Sequence, residues 1–221
     1  MSSTPVSPRL LKGGIILMDA GSGTVQRIIA LQYNPSSLTR SLQAQFYEPQ
    51  QGADKGERLR IKGPPVETFK LEAEIDATDA LESPDENADT VKFGIQPQLA
   101  ALETLVYPGS SQLEANNNLA AGGTLEIVPM EAPLTIFVWS TSRIAPVRIT
   151  EFSITEEMFD PNLNPIQAKV SLGMRVLSVD DLGFQHRGGR LFMHYHKQKE
   201  LLAAKARFGD FTSLGIAGVP G

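Results

Sequence analysis

The chain has 221 residues, of which 41% are hydrophobic and 20% charged, and a net charge of −5. That composition supports one sizeable core and excludes wholesale disorder, while the acidic balance argues against whole-protein affinity for nucleic acid. The absence of cysteine excludes a disulfide framework, a thiol nucleophile and cysteine-ligated zinc. The start, Met1 to Pro8, is too polar for a secretory signal, and no apolar run approaches membrane-spanning length. The expectation is a soluble protein made in the cytoplasm.

Leu10 to Met18 and Thr24 to Tyr33 read as a hairpin, joined by Asp19-Ala20-Gly21-Ser22-Gly23, whose glycines suit positive φ angles. Asn34-Pro35-Ser36-Ser37 ends the second strand with turn chemistry. Between Arg40 and Pro65 the chain is polar, mixed in charge and broken by Gly52, Gly56 and Gly63, which predicts a long loop or extended arm. Val66 to Asp76 alternates with period 2: Phe69, Leu71, Ala73 and Ile75 face a core, and Thr68, Lys70, Glu72, Glu74 and Asp76 face water.

Ile95, Leu99, Leu102 and Val106 recur at helical spacing, with Pro97 in the first turn and Pro108-Gly109 closing the end. Ser110 to Gly123, with asparagines at 116–118, reads as a polar loop. Strands resume at Thr124 to Val128 and at Leu134 to Trp139, the latter apolar on both sides and so central or at an interface. Val147 to Phe159 and Ile166 to Leu177 form a long hairpin. The apolar parity of its first strand shifts from Val147 and Ile149 to Phe152 and Ile154, which predicts a bulge near Thr150-Glu151. A last helix is expected from Leu191 to Phe208, with Phe192, Tyr195, Leu202 and Ala206 on one side, followed by a flexible Gly-rich tail. The element order implies a mainly β fold: an antiparallel sandwich or barrel with one packed helix and a C-terminal helix. The expected division is a β domain over 1–182 and a C-terminal basic helix and tail over 183–221.

Residues that could carry chemistry have plainer readings. His194 and His196 diverge on a helix, His186 stands apart, and no carboxylate completes a ligand spacing, so a solvated basic face is favoured over a metal site. Asp160-Pro161-Asn162-Leu163-Asn164-Pro165 opens like a calcium loop but lacks its glycine and closing glutamate, which leaves a hairpin turn. Gly21-Ser22-Gly23 precedes a strand where a dinucleotide loop needs a helix. No catalytic residue, cofactor or metal ligand is expected. Charge is segregated: Leu71 to Val91 holds eight acids and no Lys or Arg, whereas Phe184 to Phe208 holds six Lys or Arg and one acid, Glu200. These are solvated faces or complementary assembly surfaces.

Four segments in this order resemble the tube-like baseplate proteins of contractile injection systems, relatives of phage tail-tube and tube-initiator proteins. They are Leu31-Gln32-Tyr33-Asn34-Pro35-Ser36-Ser37-Leu38, the alternating strand Glu67 to Asp76, the helix Leu99 to Pro108, and the stretch from Pro133 to Trp139 through Arg148 to Asp160 and on to Leu177. The match spans about Leu10 to Leu182 and is closest to the adaptor that starts the inner tube on the spike hub. The LysM module of larger relatives has no counterpart after it. The resemblance implies a non-enzymatic ring, six copies joined edge to edge, contacting the inner-tube protein, the spike or hub and other baseplate components, with no membrane insertion. The ring would sit within an assembled injection particle. The arm at 40–65 and the hairpin tip at 159–165 are expected to touch adjacent rings. A bulk tube subunit, or a small β-barrel enzyme or ligand-binding protein with an enclosed pocket, are the alternatives.

Overall fold

The computed structural model describes residues 11–47, 60–121, 132–207 and 209–219. The fold is mainly β. Seven strands, β1 (Gly14–Met18), β2 (Val25–Ala30), β3 (Leu38–Phe46), β4 (Ile61–Asp76), β5 (Leu134–Ser140), β6 (Arg143–Phe159) and β7 (Pro165–Val176), form one antiparallel sheet. Their order is β2-β1-β5-β6-β7-β4-β3.

The sheet is strongly curled. β4 and β5 are three strand spacings apart in that order, which would hold them about 14 Å apart in a flat sheet. Yet Phe69 of β4 and Phe137 of β5 lie with ring centroids 5.2 Å apart, both almost completely buried. The curl wraps Ile15, Leu71, Val147, Val170, Leu172 and Met174 into the same core. Alternation along β4 and β7 supplies that inner face, as the sequence periodicity requires, and doubly apolar β5 is a central strand between β1 and β6. The expected bulge is present: Ile149 faces Met174 and Glu151 faces Gly173, so Thr150 is the extra residue.

Where the expected arm begins, the chain forms a two-stranded ribbon instead. β3 pairs with β4 from Leu38↔Leu71 to Phe46↔Ile61. Leu38, Leu42 and Phe46 are spaced by four, which hides the strand from a period-2 reading. Pro64 and Pro65 lie in the part of β4 that pairs with β3 but lies beyond its β7 ladder, and the register slips opposite them, between Gln43 and Gln45. A missing N–H is tolerated at such a site. The rest of the expected arm lies outside the described residues, as does the expected strand Thr124 to Val128.

Short helices α1 (Thr78–Leu81), α2 (Ala88–Phe93) and α3 (Gln96–Glu103) follow β4. Ile95, Leu99 and Leu102 are buried as expected, but α3 stops before Val106, which is exposed. The expected polar loop at 110–123 is instead the helix α4 (Ser110–Ala121), which buries no residue. Its Gln, Leu, Glu and Ala residues favour a helix enough to outweigh three asparagines. After the short helix α5 (Val179–Leu182), α6 spans Arg187–Ala203. It starts four residues earlier than expected because the His186 side chain caps it, Nδ1 accepting from Gly188 N–H. It buries Phe192 and Tyr195, whereas Leu202 and Ala206 are exposed.

One close approach fixes the β6–β7 tip. Gly94, at φ 60°, presses its backbone on Pro165, whose carbonyl accepts from Ile95 N–H at 2.9 Å. A Cβ here would collide with that carbonyl and strain the backbone. Gly94→Ala should lower stability by about 2 kcal/mol or more, measured by urea unfolding; a loss under about 0.5 kcal/mol would show that the corner yields freely.

Candidate assembly surfaces

The crossing from β2 to β3 joins the two ends of the curled sheet, and the Gln32-Tyr33-Asn34 motif makes that joint. The Gln32 side-chain amide donates to the Asp76 carbonyl at 2.7 Å and accepts from the Asp76 N–H at 3.0 Å. Asn34 accepts from Gly13 N–H at 2.9 Å and donates to the Leu11 carbonyl at 2.7 Å. Each amide supplies one donor and one acceptor, and so imitates a strand where the backbone has turned away. Asn34→Ala orphans both Gly13 and Leu11, for an expected loss of about 1–3 kcal/mol in a denaturant titration.

Glu67 ties the overhanging ribbon to the C-terminal helix. It shares the parity of Phe69 and Leu71, and is only 2% exposed. Its carboxylate accepts from Tyr195 O–H at 2.8 Å and Lys199 Nζ at 2.5 Å, and Arg40 Nε of β3 lies 3.8 Å away. Lys199 also lies over the Tyr195 ring. Sequence reasoning missed this cluster, although an acid on the apolar parity of a strand was a signal that a partner must come to it. Burial, then the hydrogen bond to Glu67, holds the Tyr195 phenol well above its ordinary value. A raised folded pKa means that this stabilisation is complete below the unfolded value of about 10 and is lost as pH rises through the folded value. Stability should therefore fall more steeply above about pH 10 in the native chain than in Tyr195→Phe; parallel profiles would sink this assignment.

Among the described residues the sheet leaves edges uncovered. β3 is exposed along most of its nine residues, and β2 along nearly all of its six. β6 is paired with β5 no further than Val147, so among the described residues its stretch 148–159 has a ladder on the β7 side alone. Two apolar groups stand at opposite ends of β4. Beside Asp76, the β6–β7 tip exposes Met158, Phe159 and Leu163; at the other end Phe46, Tyr47 and Ile61 are exposed.

The candidate chemical sites resolve into structural roles. Asp160 accepts from the N–H groups of Asn162 and Asn164 and from the Asn164 side chain, each at 2.8 Å, and these bonds hold its carboxyl below the usual range. That is a turn built on its own aspartate. Asp19 likewise accepts from Ser22 N–H and Oγ in the β1–β2 turn, where Gly23 takes the positive φ and Gly21 does not. His196 stacks on Phe192 and lies 3.5 Å from Glu200, while His186 caps α6. No cluster of three or more potential metal ligands occurs among the described residues. A cleft of about 990 Å³ runs between the β1–β2 turn and the end of α3. Its Asp19 is spent on Ser22, and its Arg27 on the Ala101 carbonyl and Thr104. No helix among the described residues is long and apolar enough to cross a membrane.

A curled sheet with exposed edges, apolar groups at both ends and a buried carboxylate that ties β4 to α6 offers surfaces for assembly. The sequence profile of the contractile injection system tube protein family matches residues 16–181, and the chain belongs to that family. Among solved structures it is similar to a chain in the tail of an empty GTA particle computed with helical refinement and C6 symmetry, at 15% identity and a TM-score of 0.30, covering 75% of this chain and 90% of that one. A chain of the native gene transfer agent virion is similar at 12% identity and a TM-score of 0.28, covering 74% and 90%. No curated protein matches the chain.

Proposed function

We propose that the chain is a non-enzymatic ring subunit of an injection-system inner tube, six copies closing through their sheet edges. The observation that carries this reading is the pair of unlike open edges, β3 at one end of the sheet and the overhang of β6 within it. Unpaired edges invite strand addition, and joining unlike edges head to tail is a heterologous contact that closes into a ring when the rotation fits. The resemblance to spike-to-tube adaptors supports a position between the spike hub and the inner tube, beside other baseplate components. A bulk tube subunit is the second reading, favoured by the match to the tube-protein family. The β6–β7 tip and the ribbon leading into 48–59 are the segments assigned to adjacent rings in either case.

Successive N–H groups of an edge strand point alternately inward and outward. Ser41→Pro and Leu42→Pro, made separately, should therefore differ. One removes an outward donor and abolishes rings in negative stain while the subunit stays folded; the other breaks the ladder to β4 and lowers stability. Normal rings from both variants would exclude β3 from the ring contact.

A further inference from the structure

Among the described residues one apolar face of the sheet is left half covered. On the outer side, Ile16 faces Ile28 across one ladder and Ile136 across the other, and Met18 faces Val25 and Leu134. Leu134 and Ile136, on β5, are buried. The start of α6 lies over Leu134, so close that a Cβ on Gly188 would come within 3.0 Å of its side chain. Toward the β2 edge that cover stops. Ile16 and Met18 are only partly buried, Val25 is exposed, and Ile28 is 68% exposed. The face is uncharged: Arg27 stands on the other parity, opposite Leu17, and is spent on Ala101 and Thr104.

The segment after α6 has the converse surplus. Phe211, Leu214, Ile216 and Val219 are all exposed, Leu214 by 71%, and no charged residue follows Asp210. They stand on a built turn. The Asp210 carboxylate accepts from Ser213 N–H at 2.7 Å and from its Oγ at 2.6 Å, and the Phe211 carbonyl accepts from Ile216 N–H at 3.1 Å. Gly215 supplies the positive φ, 70°. A turn that is already ordered loses little entropy when its apolar side chains are buried by a neighbour.

The path of α6 decides which copy supplies the cover. Its first residue, Arg187, sits at the β1–β2 turn, beside Gly23 and bonded to the Ala20 carbonyl at 3.4 Å. Lys199, about 18 Å farther along the helix, is bonded to Glu67 of β4, which also draws Arg40 of β3. The helix therefore runs crosswise from the β2 side of the sheet toward the β3 side, and the chain leaves it away from the bare face.

We propose that the 210–219 turn of one copy seats on the β1–β2 face of a second copy beside it in the ring, Phe211 and Leu214 against Val25 and Ile28, so that each subunit clasps the next. The inference rests on the ring reading above, and it fits the same pair of edges. The overhang of β6 begins at Val147, opposite Thr135, so the edge that takes a neighbour's β3 adjoins Leu134 and Met18 at the border of this face. The copy that lends β3 also lends the turn, because its α6 ends beside its own Arg40. Residues 204–210 can span up to about 25 Å. With no charge on either surface, the contact is held by apolar burial and should not weaken in high salt.

The chain has no cysteine, so introduced pairs test the contact directly. Ile28→Cys and Leu214→Cys are made in separate chains, mixed, assembled into rings and oxidised with copper phenanthroline. Disulfide-linked dimers are expected on a denaturing gel at low and high salt alike, and not when either chain is oxidised alone. A chain carrying both cysteines should give a ladder that ends at the copy number of the ring. Leu163→Cys, likewise exposed but on the β6–β7 tip, should stay unlinked when mixed with Leu214→Cys. Deleting residues 210–221 should weaken ring assembly by at least about tenfold and leave the unfolding midpoint of the isolated subunit unchanged. Intact rings without the cross-link, a bond formed only within single chains, equal cross-linking at Leu163→Cys, or native assembly by the truncated chain would each overturn the inference and leave the ring reading standing. Absence of rings from the native chain would overturn the ring reading itself, and this inference with it.

Discussion

Phe69 and Phe137 touch across three strand spacings, and the rest of the molecule follows from that contact. A flat seven-stranded sheet would expose one apolar face and need a second layer to cover it. By curling, this sheet makes its own interior, and β4, β5, β6 and β7 all contribute to one core. Curling also brings the end of β2 to the end of β4, where Gln32 and Asn34 replace the missing backbone ladder with side-chain amides. The joint is polar and local, so the sheet closes upon itself without burying its outer strand edges.

That economy leaves the edges and the ends for assembly. The β3–β4 ribbon projects past the β7 ladder, and would be a mobile two-stranded finger if it were held by its own pairing alone. Glu67 prevents this. Its carboxylate gathers Tyr195 and Lys199 from α6 and draws Arg40 from β3, so the last helix braces the ribbon from which the outer surface departs. A buried carboxylate is expensive unless each oxygen is answered, and here both are. At the far end of β4 the same job is done by backbone: Gly94 and Pro165 lock the tip against the α2–α3 corner. Glu67 thus anchors the base of the ribbon, and the Gly94 contact anchors the tip.

Much of this was legible beforehand. Period-2 runs gave β4 and β7, the parity shift gave the Thr150 bulge, and unbroken apolarity made β5 central. The readings that failed did so for local reasons. β3 was hidden because its apolar residues recur every four positions on an exposed edge, where burial enforces no alternation. α4 was hidden because nothing in it is buried, leaving weak propensities to decide. α6 begins at a histidine cap that the usual Ser, Thr, Asp and Asn rule does not anticipate.

The sequence by itself determined which faces are apolar, where the chain turns and which stretches are acidic or basic, because those follow from residue type and spacing. Its motifs pointed to the tube family that the profile match identifies. The tertiary structure alone decided what those features meet. Strand order, the curl that joins Phe69 to Phe137 and the convergence on Glu67 of residues as distant as Arg40 and Lys199 are long-range contacts, and no local period encodes them.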